Sequence, residues 1–292
     1  MNILDGKILA AKIREELAAA VEEIKAEGGK IPHLAAVLVG EDPASQVYVR
    51  NKVRSCEKIG FKSTLIRRPA DVSEDELLGI VEELNQDEDI DGFIVQLPLP
   101  EHIDENRVTL AIQPGKDVDG FHPVNFGRMA QGLPAYIPAT PNGILEMLKR
   151  YEIETAGKEV VVVGRSNIVG MPMGILMALK AYPGNATVTI CHSRTRDLAE
   201  HTRRADIVIA AIGRPNFITA DMLKEGVVIV DVGINRVDDE DAPRGYRLVG
   251  DVDFDSAATK ASWITPVPGG VGQLTVVSLL MNTLKASRGE VY

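Results

Sequence analysis

A tyrosine and a lysine four residues apart are the first candidates for chemistry in the sequence. Tyr48 and Lys52 lie in the stretch EDPASQVYVRNKVRSCEKIG, which predicts one helix that begins near Pro43 and ends at Gly60. Side chains four residues apart project from one helix face, so the phenol and the amine can position or polarise a single substrate. The alternative is an ordinary amphipathic helix whose lysine extends to water. The spacing alone leaves both interpretations open.

Polar side chains that could contact a substrate lie at and after the end of the predicted strand Gly92–Leu97. Gln96 comes at its carboxyl end, and the later loop GKDVDG carries Asp117 and Asp119 between glycines. The carboxyl ends of parallel strands form the usual binding edge of such a sheet. An amide such as Gln96 can orient a water molecule or the lysine, and a carboxylate such as Asp119 can accept paired hydrogen bonds from an aminopyrimidine. Alternatively, Gln96 meets only solvent and Asp119 forms an Asx turn.

A glycine turn joins a second apolar strand to a helical segment. The strand Glu159–Val163 leads into GRSNIVG, from Gly164 to Gly170, and then into an apolar helix from Met171. Glycines allow a tight turn and a close approach to a pyrophosphate at a helix N-terminus. The spacing is GxxxxxG and not the common GxGxxG, so a purely structural turn remains the alternative.

The next predicted strand ends in basic residues where an NAD-binding protein usually carries an acid. Ser193, Arg194 and Arg196 follow the strand in TVTICHSRTR, and Arg165 lies in the glycine turn. A hydroxyl and guanidinium groups suit a 2′-phosphate, so we expect NADP in preference to NAD. The alternative is a solvated basic loop.

Strands and helices alternate along the chain, which predicts an α/β fold with parallel sheets. Ser73 and Glu76 have the spacing of a capping box before an amphipathic helix that runs to Leu84. Glycine and proline concentrate between residues 114 and 143, where we place a domain junction. The predicted strands have apolar character in common and are His33–Val39, Gly92–Leu97, Glu159–Val163, Thr187–Cys191, Asp206–Ile212 and Val227–Val232.

Composition excludes several classes of function. The 292 residues carry a formal net charge of -10, which would repel nucleic acid and anionic membrane surfaces. We find neither the order of a secretory signal nor a segment apolar enough to span a membrane, and we expect a cytoplasmic protein. Cys56 and Cys191 lie in apolar patterns and are predicted to be buried free thiols. The histidines lack the spacing of metal ligands, so no metal is assigned.

Several separated motifs together resemble one enzyme family. They are ILDGK, PASQVYVRNK, VQLPLP, GKDVDG, GRSNIVGMPMG, VTICHSRT, VDVGIN and TPVPGGVG. In this order they resemble the bifunctional methylenetetrahydrofolate dehydrogenase/methenyltetrahydrofolate cyclohydrolase family, from Ile3 to about Leu284. Short-chain dehydrogenases also use a Tyr-x-x-x-Lys pair, but their glycine turn precedes it, so the order here argues against that class.

The resemblance implies two domains. An amino-terminal α/β catalytic domain would span residues 1–138 and 273–292, and a Rossmann-like NADP-binding domain would span residues 139–272, with the last helix returning to the first domain. It also implies tetrahydrofolate derivatives as substrates, a role in one-carbon metabolism and purine biosynthesis, and a homodimer.

The resemblance also implies roles for individual residues. Lys52 would be the central catalytic residue, supported by Tyr48 and Gln96, and Asp119 would hold the pterin. The further substrate contacts would be Tyr48, Leu97, Pro268, Gly269 and Gly270. The cofactor contacts would be Gly164, Arg165, Ser166, Gly170, Ser193 and Ile234.

Two positions depart from the family pattern. Gln273 and Leu274 stand where the family usually has Pro-Met, so the last helix lacks a proline to pre-set its first turn. Met171 stands where the family often has a basic residue. Two alternatives to the bifunctional enzyme remain, a dehydrogenase without cyclohydrolase activity and a non-catalytic dinucleotide-binding module.

Overall fold

The computed structural model describes residues 1–242 and 245–292, which form two compact units. The first, which we call the six-stranded unit, contains Met1–Ala10 and Thr140–Thr275. The second, the three-stranded unit, contains Ala11–Ala139 and Val276–Tyr292. Both are α/β, as the alternation of elements predicted.

The three-stranded unit is built on a parallel sheet of order β3-β2-β4. Its central strand is buried throughout, and its core is formed by this sheet with the helix that follows β3. The strands are β2 (His33–Val39), β3 (Lys62–Arg68) and β4 (Gly92–Val95). The helices are α1 (Gly6–Ala26, of which residues 11–26 belong here), α2 (Pro43–Ile59), α3 (Glu74–Gln86), α4 (Glu105–Ala111) and α5 (Pro123–Ala130).

Local signals set the ends of α2 and α3. The carboxylate of Asp42 accepts a hydrogen bond from the Ser45 amide at 2.7 Å, and Gly60 ends α2 with a left-handed φ of 84°. Ser73 accepts from the Glu76 amide at 3.2 Å and so caps α3. The predicted bounds of α2 and the predicted cap of α3 are confirmed.

The six-stranded unit contains a larger parallel sheet of order β1-β11-β8-β7-β5-β6 and an antiparallel hairpin, β9 with β10. Its strands are β1 (Asn2–Ile3), β5 (Glu159–Val163), β6 (Thr187–Cys191), β7 (Ile207–Ala210), β8 (Val227–Asp231), β9 (Asn235–Asp238), β10 (Tyr246–Val249) and β11 (Ala261–Ile264). Its helices are α6 (Ala139–Arg150, from residue 140), α7 (Gly170–Ala178), α8 (Leu198–Arg204) and α9 (Phe254–Ala258), with a short 3-10 helix at Ala220–Met222.

The first ten residues group differently from the predicted domain 1–138. Asn2 and Ile3 pair in parallel with Trp263 and Ile264 of β11, and the Leu4 amide donates to the Ile264 carbonyl at 2.9 Å. A two-residue strand carries almost no local signal, and only its pairing with a strand more than 250 residues away assigns it. Met1–Ala10 therefore belong to the six-stranded unit.

The last helix, α10 (Gly272–Ser287), serves the three-stranded unit from Val276 onward, as the resemblance implied. Buried Asn282 donates to the carbonyls of Val118 and Ile137, both at 2.9 Å. The absence of proline at its start does not prevent the first turn, because the Gln273 and Leu274 amides donate to the carbonyls of Gly270 and Val271. Within residues 1–242 and 245–292, no helix is long and apolar enough to cross a membrane.

Candidate active site

Helix α2 directs its tyrosine and its lysine into different environments. Tyr48 is 46% exposed, whereas Lys52 is only 8% exposed and shares its buried side of the helix with Val49 and Cys56. The interpretation of Lys52 as a side chain that extends to water is therefore wrong. A lysine withdrawn from water by a helix that begins and ends on strong caps is a candidate for chemistry.

The partner of Lys52 is Gln96, which follows β4. The side-chain nitrogen Nζ of Lys52 donates to Gln96 Oε1 at 3.2 Å. Both the backbone and the side chain of Gln96 are held by hydrogen bonds. Its backbone amide donates to the Val37 carbonyl at 2.9 Å, and its Nε2 donates to the Leu97 carbonyl at 2.7 Å. Since Nε2 is committed to a carbonyl, Oε1 is the atom left to face the lysine.

The chain then turns through a cis peptide bond between Leu97 and Pro98, whereas Pro100 does not follow one. The Ser45 hydroxyl lies 3.5 Å from the Leu97 carbonyl. Within the described residues Lys52 forms no ion pair with a carboxylate. A buried amine whose partner is a neutral amide can exchange a proton without first breaking an ion pair.

The two aspartates of GKDVDG have different roles. Asp117 is 2% exposed, and its carboxylate accepts hydrogen bonds from the amides of Phe121 and His122 and from Asn125 Nδ2. Burial raises the pKa of the Asp117 carboxyl to about 6, although the three donors oppose that shift. Asp119 is half-buried, and its carboxylate accepts no hydrogen bond from the part of the chain that the structure describes.

The Phe121 amide, which an Asx turn at Asp119 would use, donates to Asp117 instead. Asp119 keeps both carboxylate oxygens available to a ligand, which suits the proposed contact to an aminopyrimidine. Both aspartates line one small pocket of the three-stranded unit, together with Leu97 and Phe121. Its remaining lining is largely apolar and consists of Phe93, Ile94, Val95, Val108, Thr109 and Ile112.

In the six-stranded unit, the glycine turn after β5 is shaped by close backbone approach. Gly164 has a φ of 133°, and a Cβ there would lie 2.2 Å from the Ala211 carbonyl oxygen. A Cβ on Gly170 would lie 2.3 Å from the Gly164 carbonyl oxygen. Only glycine fits at either position, and the turn packs tightly enough to offer its outer backbone to a ligand.

The outer part of this turn fits a dinucleotide. Arg165 and Ser166 are exposed, and the backbone amides of residues 165–168 donate no hydrogen bond to another described residue. The Ser166 hydroxyl accepts from the amides of Val169 and Gly170 at 3.2 and 3.4 Å, where α7 begins. Free amides before a helix N-terminus form an anion site for a pyrophosphate.

The predicted basic residues lie at the adjoining strand end. Val163 at the end of β5 pairs with Cys191 at the end of β6, and exposed Ser193, Arg194 and Arg196 follow directly. The Arg194 amide donates to His192 Nδ1 at 3.1 Å, which orders the loop. The backbone brings Ser193 to the same sheet edge as Arg165.

Ile234 follows β8 and is 49% exposed, with its Cδ1 atom 2.9 Å from where a Cβ on Gly272 would lie. Its loop is held by two buried aspartates. Asp231 accepts from the amides of Gly233, Asp251 and Val252, and burial raises its carboxyl pKa to about 6.

Asp251 in turn accepts from the amides of Ile212, Gly213 and Arg214 and from Asn235 Nδ2. Sequence reasoning missed this pair. Part of the signal was present, because Asp231 ends an apolar strand two residues before Gly233 and Asp251 directly follows Gly250.

Two family models match the chain. The catalytic domain of tetrahydrofolate dehydrogenase/cyclohydrolase matches residues 4–119, and the NAD(P)-binding domain of the same enzymes matches residues 138–291. The chain belongs to the tetrahydrofolate dehydrogenase/cyclohydrolase family. The resemblance inferred from the separated motifs is confirmed.

Relatives and solved structures of the tetrahydrofolate dehydrogenase/cyclohydrolase family agree with this assignment. The bifunctional protein FolD of Bacteroides fragilis is 60% identical over 292 residues, which cover 100% of both chains. The bifunctional FolD structure from Campylobacter jejuni is 46% identical, with a TM-score of 0.93 and 99% of both chains covered. The FolD structure from Trypanosoma brucei, complexed with NADP cofactor and inhibitor, is 39% identical, with a TM-score of 0.91 and coverage of 98% and 97%.

As a member of the tetrahydrofolate dehydrogenase/cyclohydrolase family, the chain is a bifunctional enzyme with an NAD(P)-binding domain. Tyr48, Lys52, Gln96, Leu97 and Asp119 lie in the three-stranded unit.

Pro268, Gly269 and Gly270 lie in the six-stranded unit. There the Gly6 amide donates to the Gly269 carbonyl at 2.9 Å. Cys56 and Cys191 are buried free thiols, as predicted.

Proposed function

We propose that the chain oxidises 5,10-methylenetetrahydrofolate with NADP and hydrolyses the 5,10-methenyl product to 10-formyltetrahydrofolate, with Lys52 as the central catalytic residue. The observation that carries this assignment is the hydrogen bond from buried Lys52 to Gln96. It supplies an amine and an oriented amide in the unit that also offers the free carboxylate of Asp119.

In the oxidation, the chain acts chiefly by positioning. NADP, when bound, accepts the hydride that leaves the one-carbon bridge. Asp119 holds the pterin by its amino edge. Tyr48, which is exposed, and Leu97 contact the pterin beside it. The folate product carries a positive charge, so Lys52 favours the reaction in its neutral amine form, and its partner Gln96 adds no charge beside the product.

In the hydrolysis, water adds to the bridging carbon and gives up a proton to Lys52, with Gln96 orienting the reacting groups. Collapse of the adduct breaks the bond between that carbon and N5. N5 takes a proton, the formyl group stays on N10, and one proton is released to solvent overall. Lys52 thus acts as the base in the hydrolysis step that follows hydride transfer.

For the cofactor we propose NADP in preference to NAD. Gly164, Ser166 and Gly170 would hold the pyrophosphate, and Ile234 would lie against the nicotinamide. Arg165 and Ser193, joined by Arg194 and Arg196, would bind the 2′-phosphate. Support comes from their common sheet edge, their exposure and the fact that Ser193 and Arg194 stand where an NAD-binding protein usually carries an acid.

The domain functions follow from these assignments. We propose that residues 1–138 and 273–292 form the folate-binding catalytic domain, with the exception of the first ten residues, which pack in the other unit. Residues 139–272 would bind NADP, and Pro268, Gly269 and Gly270 would contact substrate. A cytoplasmic homodimer that supplies one-carbon units for purine biosynthesis completes the proposal, and light scattering of the purified protein tests the dimer.

The deciding experiment follows reduced cofactor and the methenyl compound together after methylenetetrahydrofolate is added with NADP or NAD. We expect reduced NADP with little accumulated methenyl compound and slower turnover with NAD. Accumulation of the methenyl compound would leave a dehydrogenase alone. No turnover with either cofactor would leave a dinucleotide-binding module.

A further inference from the structure

Tyr292 is hydrogen-bonded to the residues that shape the loop of Asp119. Its hydroxyl donates to Asn125 Oδ1 at 2.9 Å, across 167 residues of sequence. Its ring packs on Tyr136, with 5.9 Å between ring centroids, and lies 4.8 Å from the Arg128 guanidinium. No assigned role of the enzyme includes Tyr292.

Asn125 uses every polar group of its side chain. It is fully buried, and its Nδ2 donates to Asp117 Oδ2 and to the Pro114 carbonyl, both at 2.9 Å. Its Oδ1 accepts from the Tyr292 hydroxyl and, at 3.3 Å, from the Tyr136 amide. The shorter of the two bonds to Oδ1 comes from Tyr292, which therefore helps to fix which way the amide faces.

The orientation of Asn125 matters for Asp117. If the amide rotated by half a turn, Oδ1 would face the Asp117 carboxylate and two acceptors would meet. Asp117 holds the turn by accepting from the amides of Phe121 and His122. The turn also contains the backbone bond from the Gly120 amide to the Asp117 carbonyl at 3.1 Å.

Asp119 lies within this turn, two residues after Asp117, and both carboxylates line the same pocket. The position of the free carboxylate thus depends on a chain of hydrogen bonds that begins at the Tyr292 hydroxyl. All of these residues belong to the three-stranded unit.

We propose that Tyr292 is a positioning residue for the folate substrate, which acts through Asn125 and Asp117 on the turn that carries Asp119. This inference rests on the proposed contact between Asp119 and the pterin. A neutral hydrogen bond contributes on the order of 1 kcal/mol, so its loss is expected to change substrate binding about fivefold.

The test is Tyr292→Phe, which removes the hydroxyl and keeps the ring on Tyr136 and beside Arg128. We expect the KM for methylenetetrahydrofolate to rise about fivefold, with kcat and the KM for NADP unchanged. Tyr182→Phe is the matched control, since Tyr182 is a 54% exposed tyrosine of the six-stranded unit. It should change no constant.

A second measurement reports the turn directly. In Tyr292→Phe, hydrogen exchange at the amides of Phe121 and His122 should be faster, while amides of β5 should exchange as before. A folate KM and amide protection equal to those of the wild type would overturn the positioning role. An equal rise in the KM for methylenetetrahydrofolate and in the KM for NADP would also overturn it, because the effect would then not be specific to the folate site.

Asp119→Asn separates this inference from the function on which it rests. If Asp119→Asn leaves the folate KM unchanged, the pterin contact itself is wrong. If Asp119→Asn raises the KM and Tyr292→Phe does not, only the role of Tyr292 is wrong. If each single variant raises the folate KM, the double variant should have a folate KM close to that of Asp119→Asn, because the two changes act on the same contact.

Discussion

Lys52 Nζ lies 3.2 Å from Gln96 Oε1, although 44 residues separate them in the chain. Helix α2 and strand β4 bring the amine and the amide together, and the Leu97 carbonyl fixes which end of the amide faces the lysine. In the proposed mechanism the contact joins a proton acceptor, Lys52, to a neutral orienting group, Gln96. Most of our expectations for activity follow from this pair.

Replacement of Lys52 should separate the two activities. We expect Lys52→Met to lower cyclohydrolase activity by at least about 100-fold, because a general base contributes on that scale, and to lower hydride transfer less. Lys58→Met removes an exposed lysine of the same helix and is the control. Separate assays of methenyl hydrolysis and of reduced NADP measure the two steps. Full retention of hydrolysis would remove Lys52 from its role.

Changing the charge of its partner should also affect hydrolysis. Gln96→Glu places a carboxylate beside Lys52 and favours the ammonium form, which cannot accept a proton. We expect a larger loss of cyclohydrolase activity at neutral pH than with Gln96→Ala, and partial recovery of Gln96→Glu at higher pH, where the ammonium gives up its proton. Rates of methenyl hydrolysis from pH 6 to 9, corrected for the reaction without enzyme, measure both effects. Identical pH profiles for the two variants would contradict the proposed partnership.

The basic residue of the glycine turn should determine cofactor choice. Arg165→Ala is expected to lower kcat/KM for NADP by roughly 10- to 100-fold, the loss of one charge-assisted contact, with little change for NAD. Lys180→Ala, which removes an exposed cation after α7, is the control. Initial rates with each cofactor at saturating folate decide the matter. Equal NADP and NAD efficiencies in wild type and variant would contradict a 2′-phosphate site.

Two buried carboxyls should make stability depend on pH. Burial raises the pKa values of Asp117 and Asp231 to about 6, above the value of 3.8 for an exposed aspartate. Between these values the folded chain binds more protons than the unfolded chain. The stability contributed by each group is therefore fully present below about pH 4 and is lost as the pH rises through 6, a change of a few kcal/mol at most.

Urea unfolding at a series of pH values between 4 and 7 measures this dependence. Asp231→Asn removes one titrating group, so the difference in free energy of unfolding between wild type and variant should shrink as the pH rises. Asp221→Asn, at an exposed position of the same unit, is the control. A difference that stays constant across this range would show that Asp231 titrates normally.

The sequence by itself determined the features that depend on neighbouring residues. Pro43, Asp42 and Gly60 set the bounds of α2, and Ser73 caps α3, because capping involves groups only a few residues apart. The turn from Gly164 to Gly170 was readable for the same reason. The separated motifs, taken in order, identified the family before any coordinate was known.

Only the tertiary structure decided which of these groups meet. In the folded chain Lys52 is buried and hydrogen-bonded to Gln96. Asp117 is buried and accepts the hydrogen bonds that hold its loop, whereas the carboxylate of Asp119 accepts none from the described residues. Strand β1 and Tyr292 have almost no local signal, since their partners are more than 150 residues away. Side-chain burial and long-range hydrogen bonds arise when distant segments pack, and no short window of sequence contains both partners.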